Sequence, residues 1–139
     1  MELLQRLTRR QVDTLRSIVE ADKDGRGAPL KAIAARLKVS SPSALDHVGA
    51  LEDLKLVERH RGKSHLTESG RATIVEYQRH HRVAESLFQE LGLSPEETCE
   101  AAREVDLALS HRTIEQVCEG KGHPVRCPHG QPIPPCKGR

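Results

Sequence analysis

All four cysteines of this 139-residue chain, Cys99, Cys118, Cys127 and Cys136, lie beyond residue 98. The last three are evenly spaced, Cys118-x8-Cys127-x8-Cys136, with histidines among them in Gly122-His123-Pro124 and Cys127-Pro128-His129-Gly130. Thiolates and imidazoles are ligands for zinc, for iron–sulfur clusters and for other soft or borderline metals. Upstream, His81 and Glu85 are four residues apart in a helical pattern, so both project from one face. That spacing is a recurrent half-site for a divalent ion, and also the spacing of an ordinary surface pair. Cys127 and His129 are a conceivable nucleophile–base pair. No oxyanion-stabilising Gly-rich loop accompanies them, so the chain is not expected to be an enzyme.

The elements that must position these groups follow from periodicity. Residues 8–21 read as a helix capped by Thr8, with Val12, Leu15, Ile18 and Val19 as an apolar stripe. A second helix is expected over about 29–37. A third runs from Ser41-Pro42, with Ser as cap, to about Asp53, with Leu45, Val48 and Leu51 on one face. Residues 56–67 form a short hairpin with Arg61-Gly62-Lys63 at its tip. A long helix is expected over about 68–91, with Ile74, Tyr77, Ala84, Leu87, Phe88 and Leu91 apolar. Further helices cover about 94–109 and 110–120. From Lys121 the chain is rich in Gly and Pro, lacks periodicity, and needs an anchor that metal ligation would supply.

Two short helices joined by a tight turn and followed by a basic hairpin make a winged helix-turn-helix. Its base-reading residues would be Ser41, Pro42, Ser43, Ala44, Asp46 and His47 on the third helix. Arg59, Arg61 and Lys63 of the wing would contact phosphates or the minor groove. Charge agrees in direction: residues 1–65 carry 13 Lys/Arg against 9 Asp/Glu, and residues 66–139 carry 9 against 11. With one Tyr, one Phe and no Trp, the cores are aliphatic, and dimerisation would help bury them. Neither a secretory h-region nor a membrane-spanning apolar run is visible, so a cytoplasmic location without membrane contact is expected. In a reducing compartment the cysteines point to metal or redox chemistry more than to structural disulfides.

The run Leu66-Thr67-Glu68-Ser69-Gly70-Arg71, then His81-Arg82-Val83-Ala84-Glu85, then Cys127-Pro128-His129-Gly130-Gln131-Pro132-Ile133-Pro134 resembles the diphtheria-toxin-repressor family of iron- and manganese-dependent regulators. The resemblance covers about residues 8–134. It implies a mainly α fold: an N-terminal winged helix-turn-helix over 1–67 and a helical dimerisation and metal-binding domain over 68–139, with no SH3-like third domain. It implies a homodimer whose binding to a palindromic double-stranded operator is controlled by metal. His81 and Glu85 match ligands of one family site, and Asp13 matches a position where some members supply an Asp ligand. Cys127 and His129 lie in a segment like that of manganese-sensing members. Cys99 falls where iron-sensing members carry His. Arg103, Asp106 and Leu107 depart from the Cys/Glu, Glu and His expected there, so the second family site is absent or rebuilt.

Lost oxygen and nitrogen ligands set against gained thiols favour an iron–sulfur cluster on Cys99, Cys118, Cys127 and Cys136, beside His81, Glu85 and His129. The alternatives are a mononuclear Fe2+ or Mn2+ site on His81, Glu85, Cys127 and His129, and a structural Zn2+ in a constitutive DNA-binding protein. His123 is a possible extra ligand. His111 reads as a solvated residue.

Overall fold

A computed structural model of the protein describes residues 2–136. It is mainly helical, with one small sheet. In chain order the elements are α1 (Leu3–Arg6), α2 (Arg9–Ala21), β1 (Ala28–Pro29), α3 (Leu30–Leu37), α4 (Ser41–Asp53), β2 (Val57–His60), β3 (Lys63–Leu66), α5 (Glu68–Glu90), α6 (Pro95–Val105) and α7 (His111–Gly120). The chain divides into two compact units, one of residues 7–74 and the other of residues 1–6 with 75–139. The division falls within α5.

In the first unit, Thr8 caps α2 through a reciprocal capping box with Gln11. Val12, Leu15 and Ile18 of that helix are buried with Ile33 of α3 and Val48 and Leu51 of α4. Lys38, in the left-handed region at φ 58°, closes α3 and makes the tight turn into α4. The cap of α4 is Ser40, whose Oγ accepts from Ser43 N–H, one residue earlier than the sequence suggests. The hairpin turns at Arg61 and Gly62, φ 52° and 78°, so both central residues are left-handed as a tight hairpin requires. Sequence periodicity misses β1. It is two residues long and pairs antiparallel with β3, Ala28 opposite Ser64, giving the sheet order β1-β3-β2.

Gly70, in the first turn of α5, is required by close approach. A Cβ there would lie 2.1 Å from the Leu56 carbonyl oxygen. Backbone cannot swing aside as a side chain can. Gly70→Ala is therefore expected to cost about 3 kcal/mol, the upper end of the usual overpacking penalty, read as a lowered urea midpoint.

In the second unit, Val83 of α5, Ile114 and Cys118 of α7, and Cys127, Ile133 and Cys136 of the C-terminal segment form one buried cluster. The apolar register of α5 differs from the expected one: Val83 is fully buried and Leu91 is 67% exposed. Helix α6 ends at Val105, short of the expected 109, with Asp106 as its C-cap. The segment lacks a Gly or Pro stop signal. The side-chain bonds of Asp106, described below, hold it at the helix end. Ser110 caps α7, and the Glu2 carboxylate accepts from His111 N–H at the same positive helix end.

The segment after α7 is not loose. Cys127 N–H donates to Gln131 O, Gly130 N–H to Cys127 O, and Ile133 N–H to Val125 O, each at 2.9 Å. These bonds make Cys127-Pro128-His129-Gly130 a closed turn, with Gly130 at φ 80°. Arg82 of α5 donates to the Pro132 carbonyl and ties that turn to the helix.

Candidate metal centre and nucleic-acid interface

Helix α5 places His81 and Glu85 one turn apart on the same face, with His81 Nε2 3.3 Å from Glu85 Oε1. From α6, Cys99 Sγ comes within 3.7 Å of His81 Nε2. From the turn after α7, His129 Nδ1 lies 2.8 Å from Glu85 Oε2. Two donor groups result, His81–Glu85–Cys99 and Glu85–Cys127–His129, each with its ligand atoms within 4.8 Å of one another. Glu85 belongs to both and turns one carboxylate oxygen toward each.

The electrostatics of this arrangement fit a cation. Glu85 is only 3% exposed, and its Oε2 is buried without an aligned hydrogen bond despite the nearby imidazole. A carboxylate oxygen buried in that way is costly unless a positive charge meets it. Ligands at about 2.0–2.3 Å from a tetrahedral ion stand about 3.3–3.8 Å apart. The His81–Glu85 and His81–Cys99 separations fall in that range.

His81 is held from behind. Its Nδ1 lies 2.8 Å from Oδ2 of the fully buried Asp106, and the Tyr77 hydroxyl donates to the same oxygen at 2.8 Å. The Tyr77 ring also stacks on the imidazole, with centroids 5.9 Å apart and planes at 24°. With Nδ1–H donated to Asp106, the Nε2 lone pair points to Cys99 and Glu85. A carboxylate behind a ligating histidine fixes its tautomer and raises its basicity. The sequence marks Asp106 only as a departure from a ligand pattern. Its positioning part was not legible there, although the Tyr77-x3-His81 spacing signals a shared helix face.

The four cysteines do not share one nest. Cys99 and Cys127 serve the Glu85 groups, whereas Cys118 and Cys136 gather around His123. Among the described residues no candidate ligand group contains more than two of them. The described residues therefore do not assemble the four-thiolate set of Cys99, Cys118, Cys127 and Cys136 expected from the sequence. Helix α7 turns Cys118 toward the chain end, while the 127–130 turn sends Cys127 back to α5. Arg103 and Leu107 are half-buried on or after α6 and belong to none of these groups. Asp13 lies on α2, in the unit of residues 7–74.

The face of α5 that carries His80 forms a separate network. His80 is fully buried, with Nε2 3.0 Å from Glu76 Oε1 and 2.9 Å from His111 Nδ1. Thus His111 is not merely solvated; it pairs with Glu76 as well. The hydrogen bond from His80, followed by the charges of His111, His80 and Arg79, outweighs burial and lowers the Glu76 pKa from 4.5 to about 2. A depressed carboxylate stabilises the fold above its unfolded pKa and loses that contribution as pH falls through the folded value. The stability difference between wild type and Glu76→Gln should therefore be full above pH 4.5 and close as pH approaches 2, measured by urea unfolding across that range.

On α4, Ser41, Pro42 and Asp46 are exposed, and Ser43 and His47 half-buried. Ala44 is fully buried and cannot meet a base; Leu45, 39% exposed, takes the outward position. The core stripe is Ala44, Val48 and Leu51, at i, i+4 and i+7, rather than the Leu45, Val48 and Leu51 face that the sequence pattern suggests. In the wing, Arg61 is exposed and Lys63 half-buried. Arg59 Nε is 2.7 Å from Glu52 of α4, so this guanidinium braces the hairpin against the helix.

Comparison with known proteins agrees with this architecture. Residues 67–135 match a family described as "Iron dependent repressor, metal binding and dimerisation domain". The iron-dependent repressor IdeR of Mycobacterium bovis is 35% identical over 124 residues, covering 86% of this chain and 53% of that protein. The chain thus spans about half the length of the curated relatives it matches. The crystal structure of a hypothetical protein from Sulfolobus solfataricus has a TM-score of 0.83 at 30% identity, covering 92% of this chain and 99% of that one. A manganese-dependent transcriptional repressor in complex with manganese has a TM-score of 0.77 at 32% identity, covering 93% and 60%. With the winged-helix unit, the His81–Glu85 pair and these matches in hand, the chain belongs to the diphtheria-toxin-repressor family.

Proposed function

We propose that this protein is a homodimeric, DNA-binding transcriptional repressor whose operator affinity is set by a divalent ion, Fe2+ or Mn2+, held at Glu85. The buried Glu85 Oε2 without an aligned donor carries this reading. His81 Nε2, Glu85 Oε1 and Cys99 Sγ would hold an ion on one side of the Glu85 carboxylate, and Glu85 Oε2, Cys127 Sγ and His129 Nδ1 form the donor group on the other. When bound, the ion supplies positive charge to a donor set whose carboxylate, Glu85, and thiol, Cys127, are buried. This reading takes precedence over an iron–sulfur cluster because the thiols are divided between places and carboxylate and imidazole are among the donors. Relatives named for iron and manganese support the same choice.

The protein's own groups do the rest. Asp106 and Tyr77 aim His81. The 127–130 turn, pinned by Arg82, delivers Cys127 and His129 from the C-terminal segment. Cys99 comes from α6, so one centre joins α5, α6 and that segment. In the dimer, half-buried Leu87 and Phe88 of α5 and exposed Leu91 just past its end would offer an apolar stripe for the partner. Ser41, Ser43, Leu45, Asp46 and His47 of each α4 would read base edges in successive major grooves, about 34 Å apart, with Arg61 and Lys63 on phosphate. An ion changes DNA affinity only so far as it favours the binding-competent dimer over the other state.

Anaerobic loading with Fe2+, followed by X-ray absorption and acid-labile sulfide assay, tests the centre. Mixed nitrogen, oxygen and sulfur ligation without sulfide is expected. Iron with stoichiometric sulfide and sulfur-only ligation would restore the cluster reading.

A further inference from the structure

Cys118, His123 and Cys136 form a further donor group, separate from the two that share Glu85. His123 Nδ1 is 3.6 Å from Cys118 Sγ and 3.3 Å from Cys136 Sγ. All three ligand atoms lie within 4.8 Å of one another. Around a tetrahedral zinc with bonds of about 2.3 Å to sulfur and 2.0–2.1 Å to nitrogen, sulfur and nitrogen ligands stand about 3.5–3.6 Å apart. The observed separations bracket that edge.

The backbone is arranged to bring the imidazole there. Gly122 and His123 both adopt left-handed φ, 73° and 56°. For a residue with a side chain this costs about 1–3 kcal/mol and persists where the surroundings demand it. His123 N–H donates to Cys118 O at 2.8 Å, so the turn that ends α7 also fixes the ring beside the first thiol. The thiols are 1% and 7% exposed, within the apolar cluster of Val83, Ile114 and Ile133. Cys136 also lines a cleft with Glu76, Arg79, His111, Glu115 and Pro135, so one of the three donors borders open space.

We propose that Cys118, His123 and Cys136 bind a zinc-type ion that clamps the proline-rich C-terminal segment to the end of α7. The site is structural: two thiolates and one imidazole make it soft, unlike the carboxylate-bearing centre at Glu85. It stands independently of the regulatory reading.

The test is competitive zinc titration of the full chain against a chromophoric chelator, with thermal melts of metal-free and zinc-loaded protein. Cys136→Ser and His123→Ala should each bind about one fewer tight zinc equivalent than wild type. Affinity at the affected site should fall beyond the roughly 10- to 100-fold expected for a supporting partner. His123→Cys, which substitutes one soft ligand for another, should restore the equivalent. The melting difference between His123→Ala and wild type should appear only in zinc-loaded samples. Unchanged stoichiometry and affinity in both loss variants would overturn the proposal. So would a His123→Ala deficit equally large in metal-free protein, which would make His123 a packing residue.

Discussion

Glu85→Gln is expected to lower affinity for Fe2+ or Mn2+ by about 100-fold or more while leaving the metal-free protein at least as stable as wild type. Glutamine keeps the shape and removes the charge. It takes one ligand from both donor groups at once, since the two oxygens of Glu85 face His81–Cys99 and Cys127–His129 separately. Loss of a supporting partner typically costs 10- to 100-fold, and a shared ligand should exceed that. The stability half discriminates between roles. A buried carboxylate with an unbonded oxygen burdens the metal-free fold, so its neutral isostere should relieve it. Were Glu85 only the hub of a structural ion-pair network, the same change would destabilise the metal-free protein and leave metal binding alone. Isothermal titration with metal, beside urea unfolding in chelator, reads both.

Asp106→Asn should weaken metal binding by about 10- to 100-fold with little change in the number of ions bound. Asp106 touches no ion in this arrangement. It accepts from His81 Nδ1 and the Tyr77 hydroxyl on one oxygen. The amide can keep one of these bonds, but it no longer enforces the tautomer that leaves Nε2 free to ligate. The effect should therefore deepen in the Tyr77→Phe background by less than the sum of the two separate losses, because both act through the same ring. An Asp106→Asn protein with wild-type affinity would show that the carboxylate is merely a buried acceptor.

Much of this was legible in residue order. The cap at Thr8, the i, i+4 pair on α5 and the basic hairpin are local signals, and local signals survive in sequence. The errors arose where tertiary contact decides. Ala44 and Leu45 are neighbours differing by 100° around α4, and only packing against α2 and α3 tells which is inside. Even spacing of Cys118, Cys127 and Cys136 suggested one cluster, yet equal separation along an irregular segment carries no information about direction in space. The turn at 127–130 and the left-handed pair Gly122-His123 send those thiols to different partners. Asp106 was visible as a residue but not as a hydrogen-bond acceptor, because its two donors are 25 and 29 positions away. The proline-rich segment needed an anchor, as composition implied. The Arg82 bond and buried Ile133 supply one, and the segment also carries donor residues of both proposed centres.

The most direct test of metal-controlled DNA binding is one equilibrium titration. A duplex selected from a random pool with Fe2+- or Mn2+-loaded protein would be titrated at fixed ionic strength, with saturating metal and with chelator. Affinity for that duplex is expected to be at least 10-fold higher with metal, a difference that Glu85→Gln abolishes while its weak, salt-sensitive binding to unselected DNA remains. Equal affinity with and without metal, in a protein shown to bind the ion, would contradict it.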